Sequence, residues 1–338
     1  MKHCFCIASH FVFYLTRRII EKHNLNVDDC VLFLVRNYKI PQKYSLLYKY
    51  QIQTSYNITA DKGRVFAGIN VLKTVRNIRE FDKLLDNTIR NEQFILYTSV
   101  CSNDITSLMV TKKNCCGYYV IEDGFTSYRT YNPQTFKGLR YLIYLFFLKP
   151  FFYRIYAVKN HFITTDNPKF KGCIATDQCC FPLHQQYLEV VGFPFEKEPI
   201  DFIPDAIISV DPLFLFVDID IVKKVYNSLS EFVSQKNYKS IAFKMHPRFN
   251  APGMERLRVQ YMKTLEESFQ RVLVELSPDI VLENVLAMYK CDFYSCNSAV
   301  SIYGSQAGSR CYSIMPLLKG TPAYETNAFI ESCNIPIV

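Results

Sequence analysis

Three short stretches combine residue types that can move protons and hold phosphate. Residues 240–248 read SIAFKMHPR. In a strand, Lys244 and His246 share one face because side chains alternate, and Pro247 holds His246 extended. A histidine between Lys244 and Arg248 can bind a nucleotide phosphate and protonate a departing phosphate oxygen. Residues 119–128, YVIEDGFTSY, set Glu122 and Asp123 side by side where an apolar run stops. Two carboxylates in one place raise each other's proton affinity, which suits a general base. Gly124 permits a tight backbone path beside them. The competing reading is a helix start capped by Asp123 or Thr126. Residues 291–309, CDFYSCNSAVSIYGSQAGS, read as a strand over 292–295, then Asn297 and Ser298, then a helix from about Ala299. Amide, hydroxyl and free backbone N–H groups at such a point hold an anion, and Ser298 can also cap the helix.

Two further groups carry less. Asp218 and Asp220 match a D-x-D metal-diphosphate pattern, but they open a helical run, where acids favour the helix dipole. Cys173, Cys179, Cys180 and His184 are metal-ligand types in a spacing that fits no common zinc pattern. The thirteen cysteines include no CxxC, and their odd, irregular distribution speaks for reduced thiols rather than a secreted disulfide framework.

The elements that must position these residues alternate. Strands are expected at 3–9, 94–100, 117–122, 206–210 and 240–246, apolar enough to be buried on both faces. Helices are expected from Phe11, over 222–233 (Val222, Val225, Tyr226, Leu229 and Val233 recur at helical spacing) and over 254–274. Alternation of this kind predicts an α/β chain with parallel sheets flanked by helices. Each motif then falls at a carboxyl strand end, where open parallel sheets bind ligands. The stretch VGFPFEKEPIDFIPD (191–205), with three prolines and five charges, reads as a linker. It separates an N-terminal unit (1–195) from a C-terminal unit (205–318), with a tail (319–338) that can return to the first.

The 338 residues, 49% apolar and 21% charged, allow substantial cores and exclude global disorder. A net charge of +8 suits an anionic partner, although no nucleic-acid module or concentrated basic patch is present. No run of 18 apolar residues occurs, and the N-terminus lacks a signal-peptide pattern. Residues 137–159, KGLRYLIYLFFLKPFFYRIYAVK, interleave aromatics with cations and match a membrane-interface segment; a buried helix pair is the alternative.

Taken in order, Glu122-Asp123-Gly124, His246-Pro247 (as Lys244-Met245-His246-Pro247) and Asn297-Ser298 resemble the acidic-pair, H-P and serine motifs of bacterial GT-B sialyltransferases. That family includes lipooligosaccharide sialyltransferases and capsular polysialyltransferases. The resemblance implies a GT-B fold of two Rossmann-like domains with parallel sheets facing a central cleft. It implies CMP-sialic acid as donor, inversion at the anomeric carbon, no metal or other cofactor, and a glycan acceptor in lipooligosaccharide or capsule synthesis. By that similarity Glu122, beside Asp123, is the base. His246 is the acid or electrostatic partner of the leaving phosphate. Asn297 and Ser298 hold that phosphate, and Lys244, Pro247, Arg248 and Glu283 contact the nucleotide. Asn297 departs from the family's first serine. The implied location is cytoplasmic, on the inner face of the cytoplasmic membrane through 137–159. Transfer of Kdo or another CMP-activated nonulosonic acid, and a non-catalytic role in envelope assembly, are the alternatives; oligomeric state has no signal here.

Overall fold

The computed structural model describes residues 1–35, 38–54, 68–99, 104–124, 126–128, 167–197, 199–215, 217–250, 253–296, 298–321 and 324. The chain divides into two compact units, Met1–Pro194 and Phe195–Val338. Residues 137–159 and most of 319–338 lie outside the described set, so the interface-segment and tail expectations fall there.

In the first unit, seven parallel strands stand in the order β3-β2-β1-β4-β5-β6-β7. They are β1 (Lys2–Ile7), β2 (Cys30–Leu34), β3 (Tyr50–Gln53), β4 (Phe94–Thr98), β5 (Cys115–Ile121), β6 (Phe170–Ala175) and β7 (Leu188–Val190), with helices α1 (His10–Lys22), α2 (Gly68–Ile89) and α3 (Asp104–Val110) between them. The central strands are almost wholly apolar because both faces are covered. On one face Phe5, Tyr97 and Tyr119 stack across β1, β4 and β5, with ring centroids 4.3 and 5.3 Å apart. The β1–α1 turn is closed by Ser9, whose Oγ accepts from the Val12 N–H at 3.3 Å, a side-chain N-cap.

In the second unit, five parallel strands run β10-β9-β8-β11-β12: β8 (Ala206–Val210), β9 (Ile241–Met245), β10 (Val274–Glu275), β11 (Asp292–Ser295) and β12 (Cys311–Ser313). Helices α4 (Ile219–Ser234), α5 (Glu255–Phe269), α6 (Leu282–Tyr289) and α7 (Val300–Gln306) connect them. In chain order the sheet is 3-2-1-4-5, the doubly wound arrangement whose reversal point lies between its first and fourth strands, here β8 and β11. Tyr294 and Tyr312 stack at 5.0 Å across β11 and β12, and Phe232 of α4 meets both edge-on. The start of the linker packs on α6, where the Asn284 side-chain oxygen accepts from the Glu196 N–H at 3.2 Å.

The expected helix over 254–274 is shorter. It ends at Phe269 because Gln270 takes a left-handed conformation (φ 48°), and Val274 enters β10 instead. Asp218 is the N-cap residue of α4 and Asp220 lies in its first turn; both are exposed, as the helix-start reading requires.

Candidate active site

The carboxyl ends of the second sheet gather most of the residues singled out in the sequence. Lys244, on β9, is half-buried, and its Nζ donates to the Ile280 carbonyl just before α6. Burial pulls its ammonium below the usual range, against the pull of Glu283 and Asp279. Glu283, in the first turn of α6, shows the converse. Burial raises its carboxyl, opposed by its own backbone N–H and by Lys244. The two form an electrostatically coupled pair beside one strand end.

His246 follows β9 directly, and its N–H continues the ladder to the Val210 carbonyl at 3.1 Å. Its Nδ1 accepts from the Arg248 N–H at 3.2 Å. That bond leaves the ring proton of a neutral imidazole on Nε2, which is then a donor. Burial lowers the imidazole pKa below 6.5, the nearby Asp211 carboxylate opposes that shift, and Arg248 adds to it. Pro247 and Arg248 are exposed on the 3-10 turn Pro247–Asn250.

Asp211 went unnoticed in the sequence. It follows β8, is only 3% exposed, and bridges the reversal point. One oxygen accepts from the Ser209 hydroxyl at 3.0 Å and the other from the Cys296 N–H at 2.7 Å. A buried strand ending in Asp-Pro, SVDP, was the available signal: a carboxylate placed there needs donors. Ser298, two residues past Cys296, is half-buried, and its Oγ accepts from the Val300 N–H at 3.4 Å. Asn297 lies outside the described residues. The helix expected from Ala299 has seven residues, so the backbone dipole contributes less there than the sequence implied.

Thus His246, Asp211 and Ser298 follow β9, β8 and β11, neighbours across the sheet, with Lys244 on β9 and Glu283 in the first turn of α6. With strands about 4.8 Å apart, the row from β9 to β11 spans roughly 10 Å. Together they offer one cation, a ring N–H and two carboxylates, of which Asp211 is held by Ser209 and Cys296.

In the first unit the acidic pair also lies at a carboxyl edge, after β5, where Gly124 takes φ 63° and turns the chain. The reversal point of that sheet is between β1 and β4, one strand away. The neighbours behave differently. Glu122 is fully buried; its Oε2 accepts from both the Thr176 N–H (2.7 Å) and the Thr176 hydroxyl (2.8 Å). Burial, and then the charge of Glu122, push the Tyr128 phenol and the Cys180 thiol well above their ordinary values. Asp123 remains half-buried, its N–H donating to the Ser127 hydroxyl at 2.8 Å. Asp123 therefore presents the more accessible carboxylate, and Glu122 is anchored from β6. Thr176 was not foreseen, because only the β5–β6 pairing brings it to Glu122.

The cysteine–histidine group does not converge. Cys173 is in the core, Cys180 is buried beside Glu122 and Cys179 is exposed. Among the described residues no group of three or more His, Cys, Asp and Glu side chains is placed to hold a metal. No described helix is long and apolar enough to cross a membrane.

Two parallel, doubly wound sheets in series recur in solved structures that align along the chain. UDP-GlcNAc 2-epimerase from Methanocaldococcus jannaschii, in complex with UDP-GlcNAc and UDP, matches with TM-score 0.55 at 11% identity, covering 100% of this chain and 88% of that one. The Neisseria meningitidis UDP-GlcNAc 2-epimerase bound to UDP-GlcNAc matches with TM-score 0.53 at 12% identity, covering 100% and 95%. S. aureus MnaA with UDP matches with TM-score 0.54 at 8% identity, covering 96% and 81%. This chain has the GT-B fold. At such identities the likeness concerns the fold, and the sialyltransferase resemblance rests on the motifs. No protein-family model and no curated protein matches the sequence.

Proposed function

We propose that the protein is an inverting, metal-independent sialyltransferase that moves sialic acid from CMP-sialic acid to a glycan hydroxyl. The observation that supports this best is the set of His246, Asp211 and Ser298 at adjacent strand ends of a GT-B unit, with Lys244 on β9 and Glu283 at the start of α6 beside them. In this reading Glu283 receives the ribose hydroxyls, and Lys244, Arg248 and Ser298, with Asn297, hold the single phosphate. The Nε2–H of His246 meets the phosphate oxygen that gains charge as the glycosidic bond breaks. One phosphate carries less charge than a diphosphate, so side-chain cations suffice without metal. The acceptor hydroxyl loses its proton to the acidic pair. The accessible Asp123 takes the base role, and Glu122, the base by sequence resemblance, fixes the turn that carries it. The acceptor belongs to lipooligosaccharide or capsule, at the inner face of the cytoplasmic membrane.

A second reading, an enzyme acting on a UDP-sugar, draws on the UDP and UDP-GlcNAc complexes of the structural neighbours. Calorimetry with CMP and UDP separates the two, followed by CMP-sialic acid with an acceptor array and mass spectrometry. The sialyltransferase reading expects tighter CMP binding and a product heavier by one or more sialyl residues. Preference for UDP without sialyl transfer overturns it. Turnover unchanged by EDTA is expected; its loss, restored by a divalent cation, defeats the metal-free mechanism.

A further inference from the structure

We propose that the loop between β2 and β3 docks the protein on an anionic lipid surface. At its tip Leu46 is 98% and Leu47 53% exposed, adjacent leucines with their apolar surface in water. Isolated exposed leucines are ordinary; these two are held in place and flanked along the chain by exposed charge of one sign. The loop is braced from within. The Tyr44 N–H donates to the Pro41 carbonyl at 2.8 Å and the Leu47 N–H to Tyr44 at 3.1 Å. The Gln51 amide of β3 donates to the carbonyls of Ser45 and Tyr48. Below the tip Tyr44 and Tyr48 are buried against Phe13 of α1, and the Arg17 guanidinium lies 4.1 Å over the Tyr44 ring. The leucines thus project from a fixed base.

The surrounding charge selects the partner. Residues 30–60 contain Arg36, Lys39, Lys43 and Lys49 and no acid; Lys39, Lys43 and Lys49 are exposed. The neighbouring acid on α1, Glu21, is engaged by Arg17 and Arg18 at 3.9 and 3.4 Å. Asp29, before β2, pairs with Lys2 at 2.9 Å. Two exposed leucines need no shaped pocket; hydrocarbon accepts them as they stand, while the exposed lysines suit the headgroup layer. This inference is independent of the proposed catalytic function and of residues 137–159.

The chain has no tryptophan, so Leu46→Trp provides a reporter without background at an exposed position. It is titrated with phosphatidylcholine vesicles with and without phosphatidylglycerol, some carrying brominated acyl chains. The expected result is a blue-shifted emission, quenched by the brominated chains, with the phosphatidylglycerol vesicles only. In flotation of the otherwise native protein, Leu46→Ser/Leu47→Ser should lower partitioning about tenfold or more. Lys39→Gln/Lys43→Gln/Lys49→Gln should lower it and flatten its salt dependence. Unshifted, unquenched emission overturns the proposal, whether the protein stays in solution or binds vesicles through another surface.

Discussion

The two sheets share the strand order 3-2-1-4-5 over their first five strands, yet their carboxyl edges carry opposite chemistry. On the second, Lys244, His246 and Arg248 cluster beside the reversal point, and the buried carboxylate there, Asp211, is tied to Ser209 and Cys296. On the first, the edge after β5 is acidic, with Glu122 fully buried and bonded to Thr176 and Asp123 half-buried. One topology thus presents a basic edge in one unit and an acidic edge in the other. The chemistry belongs to the strand-end side chains, not to the fold.

The sharpest test removes the working group from each edge. His246→Gln and Asp123→Asn should each lower kcat about 10²–10⁴-fold while circular dichroism and melting stay near native. Stopped-assay kinetics check this, and a larger kcat loss in a folded Glu122→Gln than in Asp123→Asn would return the base role to Glu122. The next effect is on stability. Asp211→Ala strands the buried Cys296 N–H and should cost about 1–3 kcal/mol in urea unfolding; an unchanged midpoint would mean the reversal point is not held by that carboxylate. Thr176→Val keeps the side-chain shape but removes one donor to buried Glu122, for about 1.5 kcal/mol, read from the same unfolding curves. Lys244→Gln should weaken CMP about tenfold by calorimetry, with less effect on unfolding than Asp211→Ala.

The smallest effect concerns pH. Burial depresses the His246 pKa, and those of His3 and His184, so folding favours their neutral forms. That stability is fully present above the ordinary value near 6.5 and is lost as pH falls through the lower folded values. Melting temperature should therefore fall below about pH 6.5, and His246→Gln should reduce that slope. A slope unchanged in the variant would show that His246 does not contribute to it.

Much of this architecture was legible in the chain. The expected strands at 206–210 and 292–295 coincide with β8 and β11, since short runs rich in β-branched or aromatic residues and ended by Asp-Pro or Cys-Asn favour strands. The helix over 222–233 lies inside α4, because five apolar residues at helical spacing fix its buried face. The edge strands β3, β7, β10 and β12 were not foreseen; with two to four residues each, they carry too little periodicity and exist only through pairing with a neighbour.

The sequence alone determined the alternating α/β pattern, the placement of His246 and of Glu122-Asp123 just past strand ends, and the helix-start role of Asp218 and Asp220. These follow from local periodicity, proline and glycine geometry, and the helix dipole. The tertiary structure alone decided that Asp211 spans from β8 to Cys296, that Thr176 anchors Glu122, and that Asp123 is the more accessible acid of its pair. Those facts depend on parallel pairing between segments 54 and 85 residues apart, and burial and hydrogen bonding across such distances are set by packing, which no local pattern of residues encodes.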